Sequence, residues 1–197
     1  MKARVLLITI FMVIIILFFV GCQYAANKNL DYTLPHLPYP IAEERALITV
    51  AGQGPEGLIV SKMCDQLKIS NTYGYNSQTD DLDRRKSLII VVGVSKIGMD
   101  NISTNISEEK KRISDLLAKA NDQGIPVIMV YLGKGKRWDE DNKEMLKLVG
   151  KDSDYIIAIS NKVEEAFFRE LANENSIQFT LVKDIQRVKI PLNSVYK

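Results

Sequence analysis

Ser87-Leu-Ile-Ile-Val-Val92, closed by Gly93, is the stretch that decides the fold. After Ser87 it is apolar and mostly β-branched without interruption. A strand with one wet face would alternate, so this one reads as buried on both faces, as in a parallel sheet. Similar runs lie to either side. Ala46-Leu-Ile-Thr-Val-Ala51 precedes Gly52, and Pro126–Leu132, Asp154–Ile159 and Gln178–Val182 follow.

Amphipathic stretches separate these runs. Leu58–Leu67 places Leu58, Ile59, Met63 and Leu67 at helical spacing. Ser107 reads as the cap of a helix with Glu108 and Glu109 in its first turn, an apolar face of Ile113, Leu116, Leu117 and Ala120, and a stop at Gly124. Trp138–Val149, ended by Gly150, and a segment marked by Val163, Ala166, Phe167 and Leu171 complete the set. Strands alternating with helices build right-handed βαβ crossovers. The expected fold is α/β: a three-layer sandwich with a mostly parallel five-stranded sheet, flavodoxin-like or Rossmann-like. Ile69–Lys86, with Tyr73-Gly-Tyr75 and Asp80, Asp81, Asp83, Arg84 and Arg85, has room for a short edge strand and a polar loop. Gln186–Lys197, with Pro191 inside it, is left unassigned.

The chain outside the domain has its own logic. Lys2 and Arg4 precede the 16-residue apolar run Val5–Val20, and Gly21-Cys22 follows. Basic, apolar and small-residue regions in that order read as a secretory signal. Phe19-Val-Gly-Cys22 resembles a bacterial lipobox, which implies acylation of Cys22 and cleavage before it. An uncleaved signal anchor is the alternative, although a spanning helix needs about 20 residues. Either way the positive-inside rule puts the domain on the extracytoplasmic face of the cell membrane. The expected organisation is a lipoprotein-type signal peptide at 1–21, a Pro-containing tether at 22–45 and the α/β domain at 46–197. Cys64, on an apolar helix face, reads as a buried inert thiol, with a Cys22–Cys64 disulfide as the alternative.

Charge and composition narrow the function. The chain carries 26 basic and 24 acidic side chains; removing Met1–Gly21 takes away two basic ones and leaves 24 of each. A balanced domain has no broad positive field for nucleic acid. The single histidine, His36, falls in the tether, so the domain has none. That excludes a Ser-His-Asp triad, a Cys-His pair and His-containing zinc sites there, and neither a metal nor a cofactor is expected.

The candidate site lies at the strand ends. Gly52-Gln-Gly-Pro-Glu-Gly57 matches G-x-G-x-x-G between a strand and a helix, where free N–H groups receive an anion. Pro55 removes one such donor, and no clean second strand supplies a ribose-binding acid, so a nicotinamide cofactor is not expected. Ligands of open α/β sheets bind beyond the carboxyl ends of the strands, where the strand order reverses. Gly52, Gln53, Gly54, Gly93, Ser95 and Lys96 would meet there, with Lys134 from the loop Gly133–Arg137 and further basic residues at Lys136, Arg137 and Lys162. Trp138 reads as a staple at a helix start.

Val50-Ala-Gly-Gln-Gly-Pro55, Leu88–Gly93 with Ser95-Lys-Ile-Gly98, and Gly124-Ile-Pro-Val-Ile128 together resemble a family of bacterial exported or lipoprotein α/β domains of unknown function. The resemblance spans Ala46–Ile190 and implies an exported flavodoxin-like domain; it carries no catalytic residues over. The expected function is a tethered, non-enzymatic binding module for a small polar or anionic ligand or an envelope protein. The alternative is an enzyme working at the carboxyl edge, with Ser95 and Lys96 or a metal on Asp80 and Asp81.

Overall fold

The computed structural model describes residues 35–133 and 138–197. Six strands form one sheet: β1 (Ala46–Ala51), β2 (Asn71–Tyr73), β3 (Ser87–Val92), β4 (Val127–Tyr131), β5 (Tyr155–Ile159) and β6 (Gln178–Val182). Their order is β2-β1-β3-β4-β5-β6, and every pair is parallel. The count of five is corrected by β2. It is three residues long and polar, and it lies at the sheet edge, so no apolar run announces it. Strand order reverses between β1 and β3.

The helices are α1 (Glu56–Gln66), α2 (Lys96–Asn101), α3 (Ile106–Asp122), α4 (Glu140–Gly150), α5 (Lys162–Asn175) and α6 (Lys189–Ser194), with short 3-10 turns at Thr79–Leu82 and Ile185–Val188. One face of the sheet (Ile48, Val50, Ile89, Val91, Ile128, Val130) packs against Val60, Met63 and Cys64 of α1 and Leu192 of α6. Strand residues of the opposite parity meet α3, α4 and α5, as Tyr131 meets Phe168. All of β1, β3, β4 and β5 is buried. Each fully buried Val, Leu or Ile contributes about 1.5–3 kcal/mol, so these strands are the thermodynamic centre of the fold.

Two helix faces are turned relative to the sequence expectation. In α1 a Cβ on Gly57 would lie 2.3 Å from Val50 Cγ1, so the helix rides close on β1 along Gly57, Val60 and Cys64. Leu58 and Ile59 are thereby left exposed. In α5 the inward residues are Glu164, Phe168, Leu171 and Ala172, and Val163 is exposed. Asn161 starts α5 with a reciprocal capping box, in which Glu164 accepts from the Asn161 N–H at 3.0 Å. The cap of α3 is Asn105, not Ser107: its Oδ1 accepts from the Ser107 and Glu108 N–H groups, both at 3.0 Å.

The packed chain reaches back past Ala46. Leu37 is buried against α6 and donates its N–H to Ser194 Oγ at 3.0 Å, while the Ile41 and Ala42 N–H groups share the Val195 carbonyl at 3.1 Å. Part of the expected tether is therefore docked on the domain, with His36 exposed beside it. Pro191 lies in the first turn of α6, where a missing N–H does no harm. No helix among the described residues is long and apolar enough to cross a membrane. Met1–Gly21, Cys22 and the loop bearing Lys134, Lys136 and Arg137 lie outside the described residues.

Candidate functional site

At the end of β1 the chain makes a tight turn that only glycine allows. Gly52 has φ +101°, and a Cβ there would lie 2.6 Å from the Val94 Cα. Gln53 is also left-handed at φ +60°, is buried, and bridges to Val94. Helix α2 rests on this turn: a Cβ on Gly98 would meet the Gln53 carbonyl oxygen at 2.1 Å. The structure thus gathers Gly52, Gln53, Gly54, Gly93 and Ser95 around the reversal of strand order.

Two donors of this turn, the Gly52 N–H and the Gln53 amide, are already engaged. Glu109, on α3 and almost fully buried, accepts from the Gly52 N–H at 2.8 Å and from Gln53 Nε2 at 3.2 Å. Arg112, one turn further along α3, binds the same carboxylate through Nη2 at 2.7 Å and Nε at 2.9 Å. It also donates to the carbonyls of Val50 and Ser77. Burial alone would raise the Glu109 pKa; the bonds and charge of Arg112, with the Gly52 N–H and the Gln53 amide, outweigh it and hold the carboxyl below its usual range. An internal carboxylate occupies the role that the Gly-rich turn offers to an anion.

A second acid stands at the mouth. Gly54 and Gly93 leave room for Glu56, whose Oε2 would lie 2.2 Å and 2.7 Å from a Cβ at those two positions. The nearby Tyr73 phenol is pushed up, first by burial and then by the Glu56 charge. Ser95 and Lys96 do not form a dyad. Ser95 Oγ accepts from the Gly98 N–H at 3.1 Å as the cap of α2, and Lys96 is exposed at the start of that helix. Asp80 and Asp81 are exposed in a 3-10 turn, and no metal-holding group of His, Cys, Asp or Glu occurs among the described residues. Cys64 is fully buried, its thiol pushed up to about 12 by burial and by the Asp65 charge.

Sequence reasoning missed the residues that hold this region together. The sequence reading takes Glu109 only as an acid in the first turn of a helix and does not single out Arg112. Their i, i+3 spacing on the edge of its apolar face was the available signal. Asn142 is fully buried, accepts from the Val94 N–H at 2.9 Å and donates to Asp139 at 2.8 Å, tying β3 to the start of α4. Trp138 is not a staple. Its N′–N4 partner at the helix start is the cation Lys143, which lies over the ring 5.8 Å from its centroid rather than forming an apolar pair, and the ring also packs on Phe167 of α5 (centroids 5.2 Å apart).

Beside the filled crevice the surface opens. A cleft of about 320 Å³ is lined by Asn76, Gln78, Ser103, Thr104 and Glu108, with Glu109 and Arg112 at its base. Its walls are amides, hydroxyls and carboxylates, which orient a polar ligand.

No curated protein matches the chain. Among solved structures, homoserine dehydrogenase of S. aureus matches at 15% identity and a TM-score of 0.36, over 72% of this chain. The chain spans about a third, 33%, of that protein's length. Residues 43–196 match a family profile, that of the "Domain of unknown function (DUF6305)". With most of its length inside that match, the chain belongs to the DUF6305 family.

Proposed function

We propose that the protein is a tethered, non-enzymatic binding module on the extracytoplasmic face of the cell membrane. It takes a small polar ligand at the carboxyl edge of its sheet. The observation that carries this reading is the open polar cleft at Asn76, Gln78, Ser103 and Thr104, next to a Gly-rich turn whose Gly52 N–H and Gln53 amide already serve Glu109. At the crevice itself Glu109 already takes the Gly52 N–H and the Gln53 amide that an anion would use. The residues that would perform nucleophilic chemistry have structural work instead, with Ser95 capping α2 and Cys64 in the core. The bacterial, exported and lipid-anchored part of the proposal rests on Lys2, Arg4, the Val5–Val20 run and Cys22.

Native mass spectrometry of the full chain, purified in mild detergent, tests the ligand. A co-purified small polar molecule that disappears in Asn76→Ala is the expected result. Absence of any such molecule, together with no thermal shift across sugars, amino acids and carboxylates, overturns the reading. For the anchor, the mature protein should carry a lipid mass on Cys22, and Cys22→Ala should release it from membranes. A chain that begins at Met1 and stays in the membrane without lipid points to the signal anchor.

An envelope protein as partner is the second reading. Exposed Leu58, Ile97 and Val163 favour it, each in the first turn of a helix at the carboxyl edge. A photo-crosslinker at Ile97 that captures one specific membrane protein in cells would support it, and its absence from all cross-linked products would not.

A further inference from the structure

A second cleft, of about 430 Å³, runs along the edge strand β2. Thr72, Tyr75, Asn76, Asp81 and Arg85 line it, and Asn76 is also part of the first cleft. The two therefore meet at one residue and form a groove that turns from the sheet edge onto its carboxyl end. Each is within the range of about 300–1,000 Å³ that ligand sites occupy.

The groove is held in shape. Arg112 grips the Ser77 carbonyl from below at 2.7 Å, and Thr49 Oγ1 grips the Gly74 carbonyl at 2.7 Å. The loop that presents Tyr75 and Asn76 is thus pinned to the buried pair beneath it. On the other wall Arg85 donates to Thr72 Oγ1 at 2.7 Å and to the Asp81 carbonyl at 3.2 Å, and Asp81 accepts from the Gln78 N–H at 2.9 Å. Groups fixed before binding lose less freedom when a ligand arrives.

The lining selects a class of ligand. The lining carries three acids, Glu108, Glu109 and Asp81, against two cations, Arg85 and Arg112, and so exerts no net pull on phosphate or another anion. An apolar ligand finds Ile102 and the buried Leu47 as its only aliphatic walls. What the groove offers is planar groups that donate and accept in pairs, hydroxyls, and one large exposed ring: Tyr75 is 56% exposed. Asn76 is exposed and accepts from Gln78 Nε2 through Oδ1 at 3.2 Å, which leaves its amide nitrogen as a donor group of the lining. Vicinal hydroxyls satisfy such paired groups, and the C–H face of a pyranose covers an aromatic ring. We propose that this groove binds a neutral oligosaccharide, with a sugar ring on Tyr75 and its hydroxyls on Asn76, Asp81 and Arg85. The proposal rests on the small-ligand reading of the carboxyl edge and names its ligand.

The test is calorimetric titration of the full chain in detergent with three probes: cellotetraose, maltotetraose and the β-1,4-linked tetramer of N-acetylglucosamine. At least one is expected to bind, and Tyr75→Ala should weaken it by about tenfold or more, the affinity ratio that corresponds to about 1.4 kcal/mol. Tyr39→Ala, which removes an exposed ring outside the groove, should leave binding unchanged. Far-UV circular dichroism confirms that each variant is folded. If no tetrasaccharide binds while an amino acid or carboxylate does so in an Asn76-dependent way, the oligosaccharide is overturned and the small-ligand reading stands. If nothing binds at all, both fall. Saccharide binding that Tyr75→Ala leaves intact overturns the placement.

Discussion

The crevice between β1 and β3 and the groove over β2 are neighbours on one edge of the sheet, and the chain fills one and leaves the other open. In the crevice, Gly52, Gln53 and Arg112 direct their donors at Glu109, and Glu56 covers Gly54 and Gly93. In the groove, polar side chains of similar type face solvent. The difference lies in the partner, not in the residue types. A Gly-rich turn at a helix start attracts negative charge from whichever source is nearest. Here α3 supplies it from within, so the turn serves as a rivet, and the groove proposed for recognition lies above the floor that the rivet supports.

The comparison breaks most sharply at Arg112. Arg112→Met leaves the Glu109 charge buried without its counterion, and unfolding in urea should show a loss of about 3–5 kcal/mol. A loss under 1 kcal/mol would mean that the crevice is not a rivet. Gly52→Ala comes next. It forces a Cβ to within 2.6 Å of the Val94 backbone at φ +101°, and the same assay should show a loss of about 1–3 kcal/mol.

A smaller effect concerns pH. The Glu109 pKa is lowered in the folded state, so its ionised form adds stability above the unfolded value, near 4.5, and that contribution fades as pH falls through the folded value. Wild-type stability should drop below about pH 5, and Glu109→Gln should flatten that slope. An unchanged slope would remove Glu109 as its source. Cys64, fully buried and with its pKa raised to about 12, should resist iodoacetamide at neutral pH until the protein is denatured. At the foot of the scale, Tyr75→Ala and Lys96→Ala change exposed side chains and should alter stability by no more than about 0.5 kcal/mol.

The long buried elements were legible. Ala46–Ala51 and Ser87–Val92 match β1 and β3 residue for residue, because a strand covered on both faces leaves an unbroken apolar run. Asn71–Tyr73 was faint for the opposite reason: an edge strand of three polar residues is held by its pairing with β1, which no local pattern reports. The faces of α1 and α5 were displaced by one residue because apolar count points one way and close packing another. Gly57 lets α1 approach β1, and Glu164 turns inward to close a capping box. At the site, Gly52, Gln53, Gly54, Gly93 and Ser95 meet at the switch point that a flavodoxin-like order places between the first and third strands, an order that the pairing of β2 with β1 sets. Lys96 was placed by the same rule and proves to be solvated.

The amino-acid sequence by itself determined the α/β class, the parallel sheet and the absence of histidine from the domain. These follow from local pattern and composition, which the chain carries wherever it is folded. Only the tertiary structure decided what meets the Gly-rich turn. Glu109 and Arg112 lie far along the chain from Gly52 and show no partner in one dimension. They reach the turn because α3 packs across β1, and a buried carboxylate is stable only where donors already converge.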